Sequence, residues 1–169
     1  MIDPTTLLTS NQPPLIDMSA RKPLVSVNGH WKFDQPMGIG KASGFIYIVR
    51  DNYLSRFYMG KKFYKGNGKL NRGQESDWKT YLSSSNLLKQ LMGERPKEEF
   101  ELICIEEYCM RGAVSYAETW SLCHVEAPTT KTWYNTRIEE ISWNVTEPIT
   151  KRHKERLNRV ITMQPFENE

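Results

Sequence analysis

Residues Gly44 to Lys62 constrain this chain more than any other stretch. They read Gly-Phe-Ile-Tyr-Ile-Val-Arg-Asp-Asn-Tyr-Leu-Ser-Arg-Phe-Tyr-Met-Gly-Lys-Lys. Phe45 to Val49 is a β-branched and aromatic run bounded by Gly44 and by Asp51-Asn52, and Phe57 to Met59 is a second apolar run closed by Gly60. Two such runs around a polar turn predict a β-hairpin. Each run carries one tyrosine, Tyr47 and Tyr58. Antiparallel pairing would bring both phenols to the same end of the sheet.

The rest of the chain supplies what a hairpin needs for a core. At 169 residues it has the length of one domain with short arms. Residues 1–27 hold four prolines and little periodicity and predict an irregular N-terminal arm lying on the domain or on a partner. Val27 to Gly40 is expected to be a lead-in loop whose Trp31 packs on the sheet. After the hairpin, Phe63 to Glu75 carries Gly66, Gly68 and Gly73 among basic residues and predicts a flexible basic loop. Its glycines do not follow a phosphate-binding fingerprint. Ser85 then stands before Asn86-Leu87-Leu88-Lys89-Gln90-Leu91-Met92, an N-cap ahead of an amphipathic helix ending at Gly93. Phe100 to Ile105 is short and apolar and predicts a third strand. Ser115 to Glu126 predicts a second helix, stopped by Pro128. Thr150 to Ile161 predicts a basic C-terminal helix with Leu157, Val160 and Ile161 on its apolar side.

Strand, strand, helix, strand, helix gives an α+β fold, with a small three-stranded sheet flanked by helices. No apolar run approaches the roughly 20 residues of a membrane span, and the first residues lack the pattern of a signal peptide. The expected location is therefore cytoplasmic rather than secreted, with no membrane partner. Cys104, Cys109 and Cys123 are odd in number and form no CxxC pair. They fit buried thiols in a reducing compartment better than disulfides or a zinc site. Asn144-Val145-Thr146 matches a glycosylation acceptor but lacks a secretory context.

Charge is nearly balanced overall, with 23 basic and 20 acidic residues, but it is unevenly placed. Arg50, Arg56, Lys61, Lys62, Lys65, Lys69 and Arg72 fall in one stretch with a single acid, Asp51. Glu98 to Glu107 contains five acids and no base. Such segregation predicts one face turned toward a polyanion, against the plainer reading of solvated charge on all sides.

Several motifs occur together in order: Trp31-Lys32-Phe33, Phe45-Ile46-Tyr47, Tyr58-Met59-Gly60-Lys61-Lys62-Phe63, Glu75-Ser76-Asp77-Trp78-Lys79-Thr80-Tyr81, Tyr116-Ala117-Glu118 and Tyr134-Asn135. This set resembles the GIY-YIG nucleases, in particular a bacteriophage branch related to the free-standing homing endonucleases. Phe45 stands for the first glycine of the motif and Met59 for the second isoleucine. The similarity runs from Trp31 to Asn135. It implies a nuclease domain over 28–137, preceded by the arm at 1–27 and followed by an extension at 138–169 that carries the basic helix. That extension is too short for extended sequence-specific recognition.

The resemblance also implies a chemistry. Phosphodiester hydrolysis needs a positioned water, charge stabilisation on the phosphoryl oxygens and a stabilised leaving alkoxide. Glu118 matches the family's metal-binding glutamate, and Mg²⁺ or Mn²⁺ is the implied cofactor. Mg²⁺ suits a single carboxylate because it keeps several of its waters. The residue reading alone offers a plainer role, since Ser115-x-x-Glu118 has the form of a capping box. Glu126 is the fallback carboxylate. Tyr47 matches the base or water-orienting tyrosine and Tyr58 its partner near the phosphate. A phenol acts as a base only if cations lower its pKa. The family's helix arginine has no counterpart. Lys79, then Lys62, then Arg72 are the cations offered in its place, with Tyr81 at a second polar position. Asn135 matches an asparagine near the active site, against the plainer reading of a turn residue. Lys61, Lys65, Lys69 and Arg72 are the expected DNA contacts. A second reading keeps the fold without the cutting: a DNA-binding or phage assembly protein, with the N-terminal arm meeting another phage protein.

Overall fold

The computed structural model describes residues 29–33, 40–138 and 147–162. The expected N-terminal arm and the Asn144-Val145-Thr146 site lie outside them. The described chain forms strand β1 (Gly44–Asp51), strand β2 (Arg56–Phe63), helix α1 (Asn86–Glu94), strand β3 (Phe100–Tyr108), helix α2 (Arg111–His124) and helix α3 (Lys151–Thr162), with short 3₁₀ turns at Lys97–Glu99 and Ala127–Thr129. The sheet order is β2-β1-β3 and both pairings are antiparallel.

β1 is the central strand and is buried on both faces. Alternation along it separates two cores. Phe45, Tyr47 and Val49 point into one with Trp31, Trp78, Tyr64, Leu88 and Leu102. Ile46 and Ile48 point into the other with Phe57, Met59, Ala113, Val114, Ala117 and Leu157. The first core lies under the lead-in segment and α1, the second under α2 and α3. Burying each large side chain contributes roughly 1.5–3 kcal/mol. Trp31 packs on the sheet as its sequence predicts, against Phe45 and Tyr47, and its indole N–H donates to the Trp78 carbonyl at 2.6 Å.

The hairpin turn is organised by a buried carboxylate. Asp51 accepts from the Tyr53 and Leu54 amides, from both terminal nitrogens of Arg95 and from the Tyr134 phenol. Burial alone would raise this carboxyl. The Arg95 guanidinium, the Leu54 amide and the Tyr134 phenol outweigh burial and hold it below its ordinary range. The same bond pushes Tyr134 up to about 12, after burial itself.

Both outer edges of the sheet are covered. The Lys32 amide donates to Leu102 at 2.8 Å and the Lys32 carbonyl accepts from Cys104 at 2.9 Å, along β3. Along β2, Phe57 donates to Thr132 and accepts from Tyr134. Uncovered edges would invite pairing with another chain.

Some expectations are corrected. α2 begins at Arg111, four residues before the expected Ser115, with Met110 at its N-cap and no capping side chain. Only Cys104 of the three cysteines is buried, and Cys109 and Cys123 are exposed. Of the acids of 98–107, Glu98 is exposed, but the other four are engaged within the fold. Glu99 pairs with Arg95, Glu101 with Lys32 and Arg50, Glu106 with Arg152, and Glu107 accepts from the Tyr64 phenol. The loop after β2 is closed by hydrogen bonds rather than flexible, as described below. Ser85 does cap α1, its hydroxyl accepting from Leu88 N at 3.2 Å.

α3 packs on the domain through His153 and Leu157, both fully buried. His153 lies between Tyr108 of β3 (3.0 Å) and Ser121 of α2 (2.7 Å). Ser121 spends its one proton on the Ala117 carbonyl. The imidazole therefore donates to Ser121 from Nε2, and with the ring neutral Nδ1 accepts from the Tyr108 phenol. Burial lowers its pKa to about 4, below the ordinary His value. The unfolded chain then binds a proton that the folded chain refuses, so stability falls as pH drops from about 6.5 toward about 4. Unfolding by urea should show a loss of roughly 2 kcal/mol between about pH 8 and about pH 5. His153→Gln should flatten that slope, because Asp51 and Glu106, whose carboxyls are depressed, lose their contribution only at lower pH.

Candidate active site

The site is built around β2, whose two faces and outer edge carry different chemistry. Tyr58 lies diagonally across from Tyr47, because Tyr47 pairs with Gly60 and Val49 with Tyr58. Their ring centroids are 6.2 Å apart. Gly60 sits under the Tyr47 ring. A Cβ there would lie 2.6 Å from Tyr47 Cζ and nearer still to its hydroxyl, so only glycine fits. Lys61 follows on the opposite face, where α2 packs.

α2 turns Ala113, Val114 and Ala117 into the core and leaves Glu118 on the flank beside β2. Lys61 Nζ donates to the Glu118 carboxylate at 2.5 Å, and the Glu118 side chain is only 13% exposed. Ser115 is buried in the interior of the helix rather than at its start. The capping-box role for Glu118 is thereby removed, since no helix N-terminus lies at Ser115. Glu126 stands past the helix in a left-handed conformation and does not line the pocket that Glu118 lines.

Asn135 closes the edge. Its side-chain oxygen accepts from Met59 N at 2.9 Å and its amide donates to Met59 O at 2.8 Å. It thus continues, with a side chain, the backbone pairing that Thr132 and Tyr134 make with Phe57. On the other flank the three serines divide the work. Ser85 caps α1, Ser83 accepts from the Ser85 amide, and Ser84 shares a 2.6 Å hydrogen bond with the Tyr58 phenol.

Together these residues line a cavity of about 350 Å³. Tyr58, Ser84, Glu118, Asn135 and Arg137 bound it. Tyr47 lies behind Tyr58, buried, and its hydroxyl makes no hydrogen bond of good geometry among the described residues. Burial pushes both phenols above their ordinary value. The neighbouring tyrosines add to this at Tyr47, and the Ser84 hydrogen bond offsets only part of it at Tyr58. Both are therefore neutral near pH 7 and can orient or donate, but neither is a base in this state.

The structure thus brings Tyr58, Glu118 and Asn135 to one cavity, with Tyr47 one layer deeper. It does not bring Lys79 there. Lys79 is exposed and pairs with Glu75 at 3.0 Å. Lys62 pairs with Asp77 and lies 3.8 Å from the Tyr81 ring centroid, on the sheet face opposite Lys61. Arg72 is exposed in the loop. The cations at Glu118 are instead Lys61, which the sequence reading places among the DNA contacts, and Arg137 on the rim. Arg137 was missed. Its one signal is its position two residues after Asn135 in the same polar segment.

A second groove is linked to the first through the Lys61–Glu118 ion pair. Lys61, Lys62, Lys65 and Arg111 line it with Asn71, Asp77 and Tyr81. Arg111 stacks on Phe63 at 3.7 Å and donates to the Lys65 carbonyl.

This hairpin geometry, with its paired tyrosines and glutamate helix, occurs where the chain matches a known family. The model described as "Putative endonuclease segE, GIY-YIG domain" matches residues 30–138. The chain belongs to the GIY-YIG endonuclease family. No curated protein and no solved structure matches it. The α+β fold with its three-stranded antiparallel sheet agrees with that family. No described helix is long and apolar enough to cross a membrane.

The donor set of this GIY-YIG domain fits a hard divalent cation. Among the described residues no three of His, Cys, Asp and Glu converge. Glu118 is the carboxylate at the cavity, and it already holds a cationic partner. One carboxylate with room for water is a sufficient protein share for Mg²⁺.

Asn135 gives the site its rigidity. Asn135→Ala would leave the buried N–H and carbonyl of Met59 without partners, a cost of roughly 2–4 kcal/mol. Denaturant melts should show that loss, whereas Thr136→Ala, one residue on and exposed, should leave stability unchanged.

Proposed function

We propose that this protein is a metal-dependent DNA endonuclease that hydrolyses phosphodiester bonds at the cavity around Glu118. The observation that carries this reading is the convergence of Glu118, Lys61, Tyr58 and Asn135 at β2 of a GIY-YIG domain. Glu118 would hold Mg²⁺ or Mn²⁺, and the bound ion would stabilise the negative charge on the phosphoryl and leaving oxygens. The other roles belong to the chain. Lys61 neutralises the phosphate as a point charge. Arg137 offers a guanidinium fork, which suits a phosphate better than an ammonium does. Tyr58, neutral and held by Ser84, orients a water or a phosphate oxygen, and Tyr47 with its spare hydroxyl stands behind it. Asn135 touches no reacting atom in this scheme. It holds the segment that carries Arg137 against β2.

Lys65, Lys69 and Arg72 are exposed on the loop beyond β2. They extend the basic surface away from Glu118 and serve to bind the DNA backbone.

A second reading is a DNA-binding or assembly protein that keeps the fold and does not cut. One observation favours it: the Glu118 carboxylate is already paired with Lys61 at 2.5 Å. Incubating the protein with plasmid DNA and Mg²⁺ or Mn²⁺ separates the two. Cleavage that EDTA abolishes supports the enzyme, and binding without cleavage under either metal supports the second reading.

Glu118→Gln sharpens the test. The amide oxygen still accepts from Lys61, so the variant should fold at a cost of roughly 1–2 kcal/mol. A neutral amide is a poor ligand for a hard dication. Cleavage should fall at least ~100-fold while DNA affinity is kept. A variant that cuts at the parental rate places the chemistry elsewhere. Neutralising Lys65, Lys69 and Arg72 together should weaken binding to all sequences alike and flatten its dependence on salt.

A further inference from the structure

The most exposed large apolar side chain among the described residues is Leu70, at 95%. Single exposed leucines are common on protein surfaces and by themselves mean little. Leu70 is distinguished by where it is held. It lies at the tip of the loop beyond β2, between Lys69 and Arg72, and Lys65 lies at the loop's base. The surrounding surface carries three exposed cations, so this is an apolar point on a strongly basic projection.

The loop is built rather than loose. An antiparallel bridge joins Lys65 to Glu75 at its base. Above it, Gly66 N donates to Gln74 O and Gly73 N donates to Gly66 O. Two successive turns form the tip, Asn71 N to Gly68 O and Gln74 N to Asn71 O. The Asn71 side chain accepts from Gly68 N at 2.9 Å and packs so closely on Gly66 that a Cβ there would strike it. Gly73 takes the positive φ of +79° that the second turn requires. Lys69 and Leu70 are the central residues of the first turn, which points them outward. A presented leucine that pays little further ordering entropy on contact is suited to insertion.

The loop also adjoins the basic groove. Gly66 and Asn71 form one wall of the groove, with Lys61, Lys62, Lys65 and Arg111 along the rest. Lys61 is at the same time the partner of Glu118. Cationic groups therefore run from the proposed cleavage site along the groove to the loop, with Leu70 beyond them.

From this arrangement we infer that the loop over residues 65–75 is a wedge for duplex DNA. The backbone follows the groove, Lys69 and Arg72 bind phosphates on either side of the tip, and Leu70 enters between two base pairs and kinks the helix. Apolar side chains presented among basic ones act in this way when a protein gains surface by bending DNA. Flexible pyrimidine–purine steps are the cheapest to open and are the expected points of entry. The inference rests on the reading of this protein as one that binds DNA, and it adds that the preferred substrate is a deformable duplex.

The test uses the full chain in EDTA with short duplexes. Some carry 2-aminopurine at successive positions through a pyrimidine–purine step, and others carry a donor and an acceptor dye at their ends. The parent protein should raise 2-aminopurine emission at one step and shorten the end-to-end distance. Leu70→Ala should remove both signals and keep the same dependence of affinity on salt. Its affinity should stay within about threefold, because lost apolar contact and saved unstacking offset one another. The substitution is at an exposed turn, and its melting temperature should match the parent's. If the parent binds duplex with neither signal, or if Leu70→Ala retains them, the wedge is overturned and the DNA-binding reading stands. If the parent binds no duplex at any salt concentration, both fall. If Leu70→Ala instead abolishes a self-association seen by sedimentation, the tip is a protein contact and the wedge is again overturned.

Discussion

The two hydrogen bonds between the Asn135 side chain and the backbone of Met59 hold the rest of the site in place. β2 is an outer strand, and its exposed backbone groups would otherwise seek partners. Thr132 and Tyr134 satisfy those at Phe57, and the chain then leaves the strand. Asn135 satisfies the next pair with its amide, whose donor and acceptor match a peptide's own. This lets the strand be sealed while the backbone turns away to open a cavity. Tyr58 on one face, Lys61 on the other and Arg137 on the departing segment are all positioned by that seal. The Asp51 network holds the residue just before it, since the Tyr134 phenol reaches the hairpin turn.

The distribution of charge follows from the same packing. Four of the acids on and beside β3, Glu99, Glu101, Glu106 and Glu107, face a base or a phenol from elsewhere in the fold. They cancel Arg95, Lys32 and Arg152, which sit away from the groove. The cations of the groove and loop have fewer opponents, chiefly Asp77 and Glu118. A formal net charge of only +3 therefore conceals a strongly polarised surface. Field lines from such a surface reach an approaching polyanion before any contact forms.

Much of this was legible in the sequence, and the failures have physical causes. The hairpin, the third strand and the Ser85 cap were readable because period and capping chemistry are local. The start of α2 was not, because Met110 offers no capping side chain and Gly112 weakens the helical pattern. The identity of the cation at Glu118 was lost for a different reason. Parity along β2 shows that Lys61 and Lys62 point to opposite faces, but only the tertiary structure shows which face α2 covers. Lys79 sits in a recognisable run and yet turns outward to Glu75. Arg137 belongs to no periodic element, so nothing local marks it. The closed loop was misread because its order comes from hydrogen bonds between residues rich in glycine and asparagine, a composition that reads as freedom.

Gly60 and Tyr47 have a consequence for how such a domain changes over generations. They face one another across two strands, and the space a side chain would need at Gly60 is already taken by the Tyr47 ring. Exchanging the tyrosine for phenylalanine does not free that space, because the obstruction includes ring carbons as well as the hydroxyl. The glycine is therefore locked for as long as an aromatic ring stands opposite. A side chain at position 60 requires the ring at position 47 to move or to be lost. With both present, the fully buried Tyr47 ring would have to leave its place between the strand and Trp31.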